Sequence, residues 1–244
     1  MNLSIIIPAY NEEKRIGKTL EEYSKFFENK RKNESLKYEI LVVINNTTDN
    51  TLAIVKKMSA KNKNIKYLDL PRGGKGYAVI EGFKKGLETC ELVGFVDADM
   101  ATSPDQYWNL VNNIGNYDGV IADRYRKESK VYPPVTFRRL VVGRIFNFFV
   151  RAMMILPYRD TQCGAKLFKR NALAKVIPQL TMSKWAFDVE LLYMLSKNGF
   201  RVRSCPTVWI DKEYYKINFV RATHGMVIGI IRLRLINSPF KRIV

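Results

Sequence analysis

An α/β domain, with a mostly parallel sheet flanked by helices, is the architecture expected from this sequence. Three observations lead there. Short β-rich runs alternate with helical stretches through the first half of the chain, the pattern of successive βαβ units. The 244 residues, 47% of them apolar, are enough for one core of ordinary size. No internal repeat, low-complexity tract or Pro/Gly-rich linker divides them.

The elements follow in order. Leu3–Ile7 is a β-branched run stopped by Pro8, and a helix is expected over 12–28. Strands at Tyr38–Ile44, Ile65–Leu68, Leu92–Val96 and Gly119–Ala122 alternate with helices near 50–60, 75–88 and 104–113, the last opening at Ser103-Pro104. In such sheets ligands lie beyond the carboxyl ends of the strands. The polar groups there are Tyr10-Asn11-Glu12, Asn45-Asn46-Thr47 and Asp97-Ala98-Asp99. The second half changes character. Over 131–160, Arg144, Asn147 and Arg151 recur at helical spacing, with Val142, Ile145, Phe146, Phe149 and Met153 on the other side. A strand at Gly164–Phe168, a helix near 184–197, strands within 201–210 and a basic-apolar segment at 217–236 complete the chain.

Charge is the dominant compositional feature. Lys and Arg number 41 against 23 Asp and Glu, a formal +18, which implies a polyanionic partner, either nucleic acid or an anionic membrane face. The three cysteines, Cys90, Cys163 and Cys205, are scattered without a CxxC, and are expected as free thiols of a reducing compartment. The single His224 argues against histidine-based catalysis. No leader is expected ahead of the opening strand. The two most apolar stretches, 137–156 and 217–236, are broken by arginines, so a soluble or monotopic chain is expected.

Asp97-Ala98-Asp99 is the strongest single motif. Alternation sends residues i and i+2 to one side, so two carboxylates converge at a strand end. A hard divalent cation, Mg2+ or Mn2+, that also holds phosphate oxygens relieves their repulsion. A turn cap or an N-cap for the following helix is the structural alternative. Gly73, Gly74 and Gly76 around Lys75 suit a loop where backbone approaches a diphosphate and lysine adds charge, or simply a turn.

The segment Ile6-Ile7-Pro8-Ala9-Tyr10-Asn11-Glu12-Glu13, the strand Glu39–Ile44, the Asp97-Ala98-Asp99 motif and Arg72-Gly73-Gly74-Lys75-Gly76 resemble glycosyltransferase family 2. Two further blocks, 159–168 (RDTQCGAKLF) and 185–192 (WAFDVELL), look like the dolichyl-phosphate β-glucosyltransferases and their polyprenyl-phosphate relatives. The resemblance covers roughly 1–236 and implies a GT-A, Rossmann-like fold with a DxD metal site. It places Pro8, Ala9, Tyr10, Glu12, Asn45, Lys75, Asp97 and Asp99 at the donor nucleotide-sugar, with Glu12 near the ribose or base and the metal on Asp97 and Asp99. One departure stands out. Where the family carries an aspartate pair after its second strand, this chain reads Ile44-Asn45, although Asp49 and Thr51 remain. An amide donates as well as accepts, so a UDP-sugar is favoured with a GDP-sugar left open.

The same resemblance gives the acceptor as a polyprenyl (dolichyl) phosphate. Arg124 matches the family's phosphate-binding arginine, with Arg138 or Arg139 as the second. Guanidinium groups recognise phosphate with paired hydrogen bonds. Asp160, Gln162, Asp188 and Glu190 complete the set, and Asp99, Arg124, Asp188 and Glu190 are the catalytic candidates. Since a phosphate oxygen is already anionic, the acids are read as positioning groups, with helix caps or core ion pairs as the alternative. The expected reaction is inverting transfer of glucose. Its rivals are mannose or N-acetylglucosamine as the sugar, a saccharide acceptor, a basic nucleic-acid-binding protein, or an inactive scaffold. No nucleic-acid-binding motif supports that third rival. The expected organisation is a catalytic domain over 1–216 with an interface helix at 137–156, then a membrane- or partner-docking segment at 217–244. A place on the cytoplasmic face of a membrane is expected, peripheral or monotopic. A second copy of the chain is left open as a partner.

Overall fold

The structure is a computed structural model describing residues 1–134, 136–181, 186–211 and 219–238, with the side chains of 137–139 and 219–224 also outside the description. Its first half alternates as expected: β1 (Asn2–Ala9), α1 (Ile16–Asn33), β2 (Lys37–Asn45), α2 (Thr51–Lys61), β3 (Ile65–Leu70), α3 (Lys75–Gly86), β4 (Leu92–Val96), α4 (Pro104–Asn112) and β5 (Gly119–Asp123). The second half contains β6 (Lys130–Tyr132), α5 (Phe137–Met154), β7 (Ala165–Lys169), α6 (Arg170–Val176), α7 (Phe187–Lys197), β8 (Val202–Pro206), β9 (Val208–Ile210) and α8 (Phe219–Ile236). Helix α1 starts later than expected because residues 12–15 form a turn in which Arg15 and Ile16 both donate to the Glu12 carbonyl.

The main sheet has seven strands in the order β3-β2-β1-β4-β7-β5-β8. All its pairings are parallel except those of β7, which inserts antiparallel between β4 and β5. A small parallel sheet pairs β6 with β9. Strand alternation divides the core. Leu3, Ile5 and Ile7 join Tyr23, Phe27 and Tyr107 on one face, whereas Ile6, Val93 and Phe95 join Phe83, Phe168 and Phe187 on the other. Each such fully buried side chain contributes about 1.5–3 kcal/mol, which fixes the register of every central strand. A slip by one residue would exchange the two faces.

Helix α5 corrects one expectation. Its apolar residues divide between two surfaces. Phe146, Phe149 and Met153 pack with Val150 and Met154 onto the second core, while Val141, Val142, Ile145 and Phe148 face outward. Asn147, expected on the polar side, is buried and donates to the Gly143 carbonyl. Helix α8 sends Ile230 and Leu233 into that same core and exposes Ile228 and Ile231. Among the described residues no helix is long and apolar enough to cross a membrane.

Candidate active site

Four loops at the carboxyl edge of the sheet, those after β1, β2, β3 and β4, surround one cavity of about 550 Å³, lined by Pro8, Tyr10, Glu12, Arg15, Asn45, Asn46, Gly73, Gly74, Lys75, Asp97, Ala98 and Asp99. Seven of the eight donor-site candidates therefore meet in one place, and the eighth, Ala9, lies buried beside them. The loop after β1 is tied to the loop after β2 by reciprocal hydrogen bonds. Backbone N–H groups of Asn11, Glu12 and Glu13 donate to Thr47 Oγ1, Thr51 Oγ1 and Asp49 Oδ2, while Asn11 Oδ1 accepts from Thr48 N–H. This is the structural use of Asp49 and Thr51. The Glu12 carboxylate is held by Arg15 in a two-point pair, Nε to Oε2 at 2.6 Å and Nη2 to Oε1 at 2.8 Å.

Asn45 does what an aspartate in its place could not. Its Nδ2 donates to the Ala9 carbonyl at 3.0 Å, and its Oδ1 accepts from Gly74 N–H at 3.1 Å. The residue is 2% exposed, so its amide is committed to joining the first loop to the glycine loop. Gly74 sits at φ 133, a backbone conformation that L side chains rarely adopt, and it leads directly into α3.

Lys75, the first residue of α3, places Nζ 2.6 Å from Asp97 Oδ1 and 5.6 Å from the centre of the Phe95 ring. Burial works against its charge, but the carboxylates of Asp97, Asp188 and Asp99 outweigh that and hold the ammonium above its ordinary range. The Asp99 carboxyl is pushed up by burial and by the Asp97 charge. Its Oδ1 accepts from Ala101 N–H. Helix α1 clamps this turn through Thr19 Oγ1 to the Ala98 carbonyl and Tyr23 Oη to the Thr102 carbonyl. From β7's side, Gly164 accepts the Asp97 N–H at 3.1 Å. A Cβ on Gly164 would stand 1.8 Å from Asp97 Oδ2. Only glycine leaves the carboxylate where it is.

The donor set suits a hard divalent cation. Among the described residues no group of three or more His, Cys, Asp or Glu side chains converges, leaving two carboxylates beside an open cavity. Mg2+ is typically bound by one or two carboxylates, with substrate phosphates and water completing its shell.

The acceptor candidates form a second cluster after β5. Arg124 meets Asp160 with Nε to Oδ2 at 2.7 Å and Nη2 to Oδ1 at 2.9 Å, and its backbone N–H donates to Oδ2 at 3.0 Å. Asp160 is completely buried. Burial raises its carboxyl, but the Arg124 guanidinium overcomes this and holds it below the ordinary aspartate range. The Trp209 ring lies 5.2 Å from the Arg124 guanidinium carbon, so a carboxylate and an aromatic face fix the fork while its remaining N–H groups stay outside the Asp160 pair. Gln162 donates its backbone N–H to Asp160 Oδ1, and its Nε2 is buried with no partner among the described residues. Asp188 pairs with Lys166, and Glu190 accepts from Thr181 N–H and Oγ1, so the two acids serve different partners. Arg138 and Arg139 begin α5, but their side chains lie outside the described residues, as does Trp185.

Sequence reading missed Arg15, Gly164, Lys166 and Trp209. Arg15 was signalled by its i,i+3 spacing to Glu12, while the others depend on strand neighbours that no local pattern reveals.

A family model described as Glycosyl transferase family 2 matches residues 4–177. The dolichyl-phosphate beta-glucosyltransferase of Dictyostelium discoideum is 30% identical, covering 95% of this chain and 73% of its own length. That of Drosophila melanogaster is 35% identical, covering 89% and 69%. Among solved structures, glucosyl-3-phosphoglycerate synthase from Mycobacterium tuberculosis, in complex with Mn2+, UDP and glucosyl-3-phosphoglycerate, superposes with a TM-score of 0.71 at 17% identity over 96% of this chain and 79% of that one. The mannosyltransferase PcManGT from Pyrobaculum calidifontis, in complex with GDP-Man and Mn2+, gives 0.65 at 19% identity over 97% and 64%. At these identities the structures establish the GT-A fold. With the family model spanning most of the chain, and relatives at 30% identity or more over most of both lengths, the chain belongs to glycosyltransferase family 2.

Proposed function

We propose that the protein transfers glucose, with inversion, from UDP-glucose to a polyprenyl phosphate of the dolichyl type. One observation carries the reading: a single cavity joins the Asp97–Asp99 carboxylates and Lys75 to the loops after β1 and β2. The relatives named dolichyl-phosphate beta-glucosyltransferase support the sugar and the acceptor.

The donor diphosphate lies against the glycine loop, where Lys75 faces the charge that develops on the leaving group. Asp97 and Asp99 would hold Mg2+ or Mn2+, which supplies further neutralisation of that diphosphate. Tyr10, Glu12 and Asn45 border the nucleoside, and the commitment of the Asn45 amide to Ala9 and Gly74 leaves base selection to other groups of this rim. Arg124, locked by Asp160, presents its free N–H groups to the lipid phosphate. An oxygen of that phosphate forms the new bond to the anomeric carbon from the face opposite the diphosphate. The carbon–oxygen bond to UDP breaks, and UDP departs with the electron pair. The nucleophile is already an anion, so no side chain has to remove a proton.

The acceptor's hydrocarbon tail calls for a membrane surface, and α5 supplies one. Ile145 is 64% exposed and Phe148 72%, in line with Val141, and Ile155 just past the helix end continues the row at 74%. Arg144 and Arg151 flank it, also exposed. This is the arrangement of a helix lying in the headgroup layer of an anionic leaflet. Exposed Ile228 and Ile231 of α8, which packs beside α5, widen the surface. The proposed location is peripheral, on the cytoplasmic face.

The test is a donor and acceptor screen: UDP-glucose, UDP-N-acetylglucosamine and GDP-mannose, each with Mn2+, against dolichyl phosphate and a free saccharide. Transfer from UDP-glucose to the lipid is expected to dominate. Failure of every donor to label the lipid would overturn the reading.

A further inference from the structure

Lys166 is an unusual residue for the centre of a sheet. It stands in β7 between Phe95 of β4 and Ile121 of β5, fully buried. Its ammonium donates to the Cys163 carbonyl at 2.6 Å and to Asp188 Oδ1 at 2.5 Å, and lies 5.1 Å from the centre of the Phe95 ring. Buried ion pairs are poor stabilisers, since desolvating both charges offsets their attraction and apolar residues of similar volume often serve as well. The pair therefore calls for an explanation other than stability.

Its contacts supply one. The carbonyl that Lys166 holds belongs to Cys163, one residue before Gly164. Gly164 accepts the Asp97 N–H, and its Cα lies against the Asp97 carboxylate so closely that a Cβ would fall 1.8 Å from Oδ2. Lys75 stands 2.6 Å from the other oxygen of that carboxylate, Oδ1, and its ammonium meets the same Phe95 ring as Lys166 does. The position of Asp97 is thus set by Lys75 from α3 and by the Cys163–Gly164 turn from β7.

We infer that Lys166, anchored by Asp188, is a positioning residue for the donor site: it pins the Cys163–Gly164 turn against Asp97 and so holds that carboxylate in place for the cation and diphosphate. Lys166 touches neither. The inference rests on the donor-site reading proposed above.

The experiment uses the full chain and titrates UDP calorimetrically with and without MnCl2, alongside thermal unfolding. Lys166→Met is expected to unfold cooperatively and to lose at least tenfold in UDP affinity with Mn2+, with less than twofold change without it. Lys166→Arg, which keeps a buried cation able to donate to Cys163 and Asp188, is expected to recover affinity to within about threefold of wild type. A Lys166→Met protein that binds UDP with Mn2+ as wild type does, or loses both affinities equally, overturns the inference. Should Lys166→Met not fold, Lys166→Gln replaces it with the same expectation, because its shorter, uncharged amide removes the cation that bridges the Cys163 carbonyl and Asp188. If neither folds, Lys166 is a structural residue and the inference is wrong. Wild-type protein that bound no UDP with Mn2+ would instead sink the donor-site reading itself.

Discussion

Gly164→Ala is the substitution through which the site's geometry is most exposed to test. The added Cβ would lie 1.8 Å from Asp97 Oδ2, 2.4 Å from Cγ and 3.0 Å from Oδ1. Real Cβ contacts do not fall below 3.0 Å, so the carboxylate must move by roughly 1 Å or more, a displacement able to cost about 100-fold in rate at a reacting centre. The backbone cannot absorb the movement easily, because Gly164 O and Asp97 N–H are bonded at 3.1 Å just beyond the end of the β4–β7 pairing. The Asp97 side chain can rotate, at about 0.5–1.5 kcal/mol for an off-rotamer angle, but rotation breaks its pair with Lys75. The expected outcome is a folded protein destabilised by no more than about 2 kcal/mol, with kcat/KM for glucosyl transfer down about 100-fold, equivalent to about 2.7 kcal/mol. The assay is transfer of radiolabel from UDP-glucose to dolichyl phosphate, with urea denaturation as the stability control. In an Asp97→Ala background the same substitution should lose most of its effect, since neighbours acting through one contact are not additive. Wild-type kcat/KM in a folded Gly164→Ala protein would refute the argument.

The other predictions touch separate parts of the molecule. Asp160→Asn removes the buried counter-charge of the half-buried Arg124 guanidinium and should destabilise the fold by about 3 kcal/mol in urea denaturation. Because Asp160 titrates below its ordinary range when folded, its stabilisation is complete above about pH 4 and is lost as pH falls through the lowered value; the variant's acid limb should be flatter than wild type's. Asn45→Asp replaces the donor to Ala9 with a second acceptor and should lower stability by about 1–3 kcal/mol, read by thermal unfolding. Ile145→Glu with Phe148→Glu should abolish flotation with anionic liposomes without lowering the melting temperature, since both residues face outward; liposome binding equal to wild type would exclude α5 as the docking face. Cys163, completely buried and with its thiol pushed up to about 12, should react with a thiol reagent only after unfolding.

The contrast between what could and could not be read in advance is physical. The first five strands and four helices were legible as short apolar β-rich runs alternating with amphipathic stretches, and Ser103-Pro104 marks a true helix start, whereas β1 runs on through Pro8 to Ala9 because both remain paired with β2. Strand β6, with three residues, and helix α6, with seven, are too short to display a period. The antiparallel insertion of β7 between β4 and β5 is a tertiary pairing and leaves no local trace. It is also what creates the hidden half of the site, because Gly164 and Lys166 reach Asp97 and Asp188 only through that pairing. The donor loops were legible as a set because every one of them ends a parallel strand. The role of Asn45 was not, since an amide that bridges two loops looks in sequence like an aspartate replaced. On α5 the pattern distinguished apolar from basic residues but could not say which apolar residues meet the core and which meet the surroundings.

The most direct test of glucosyl transfer to a lipid phosphate is the identity of the product formed by wild-type protein from UDP-glucose, Mn2+ and dolichyl phosphate, set by mass spectrometry and anomeric proton coupling. A single hexose joined to the lipid phosphate in the β configuration, absent with Asp99→Ala, is the predicted result. Free glucose alone, an α-linked product, or equal activity in Asp99→Ala would contradict it.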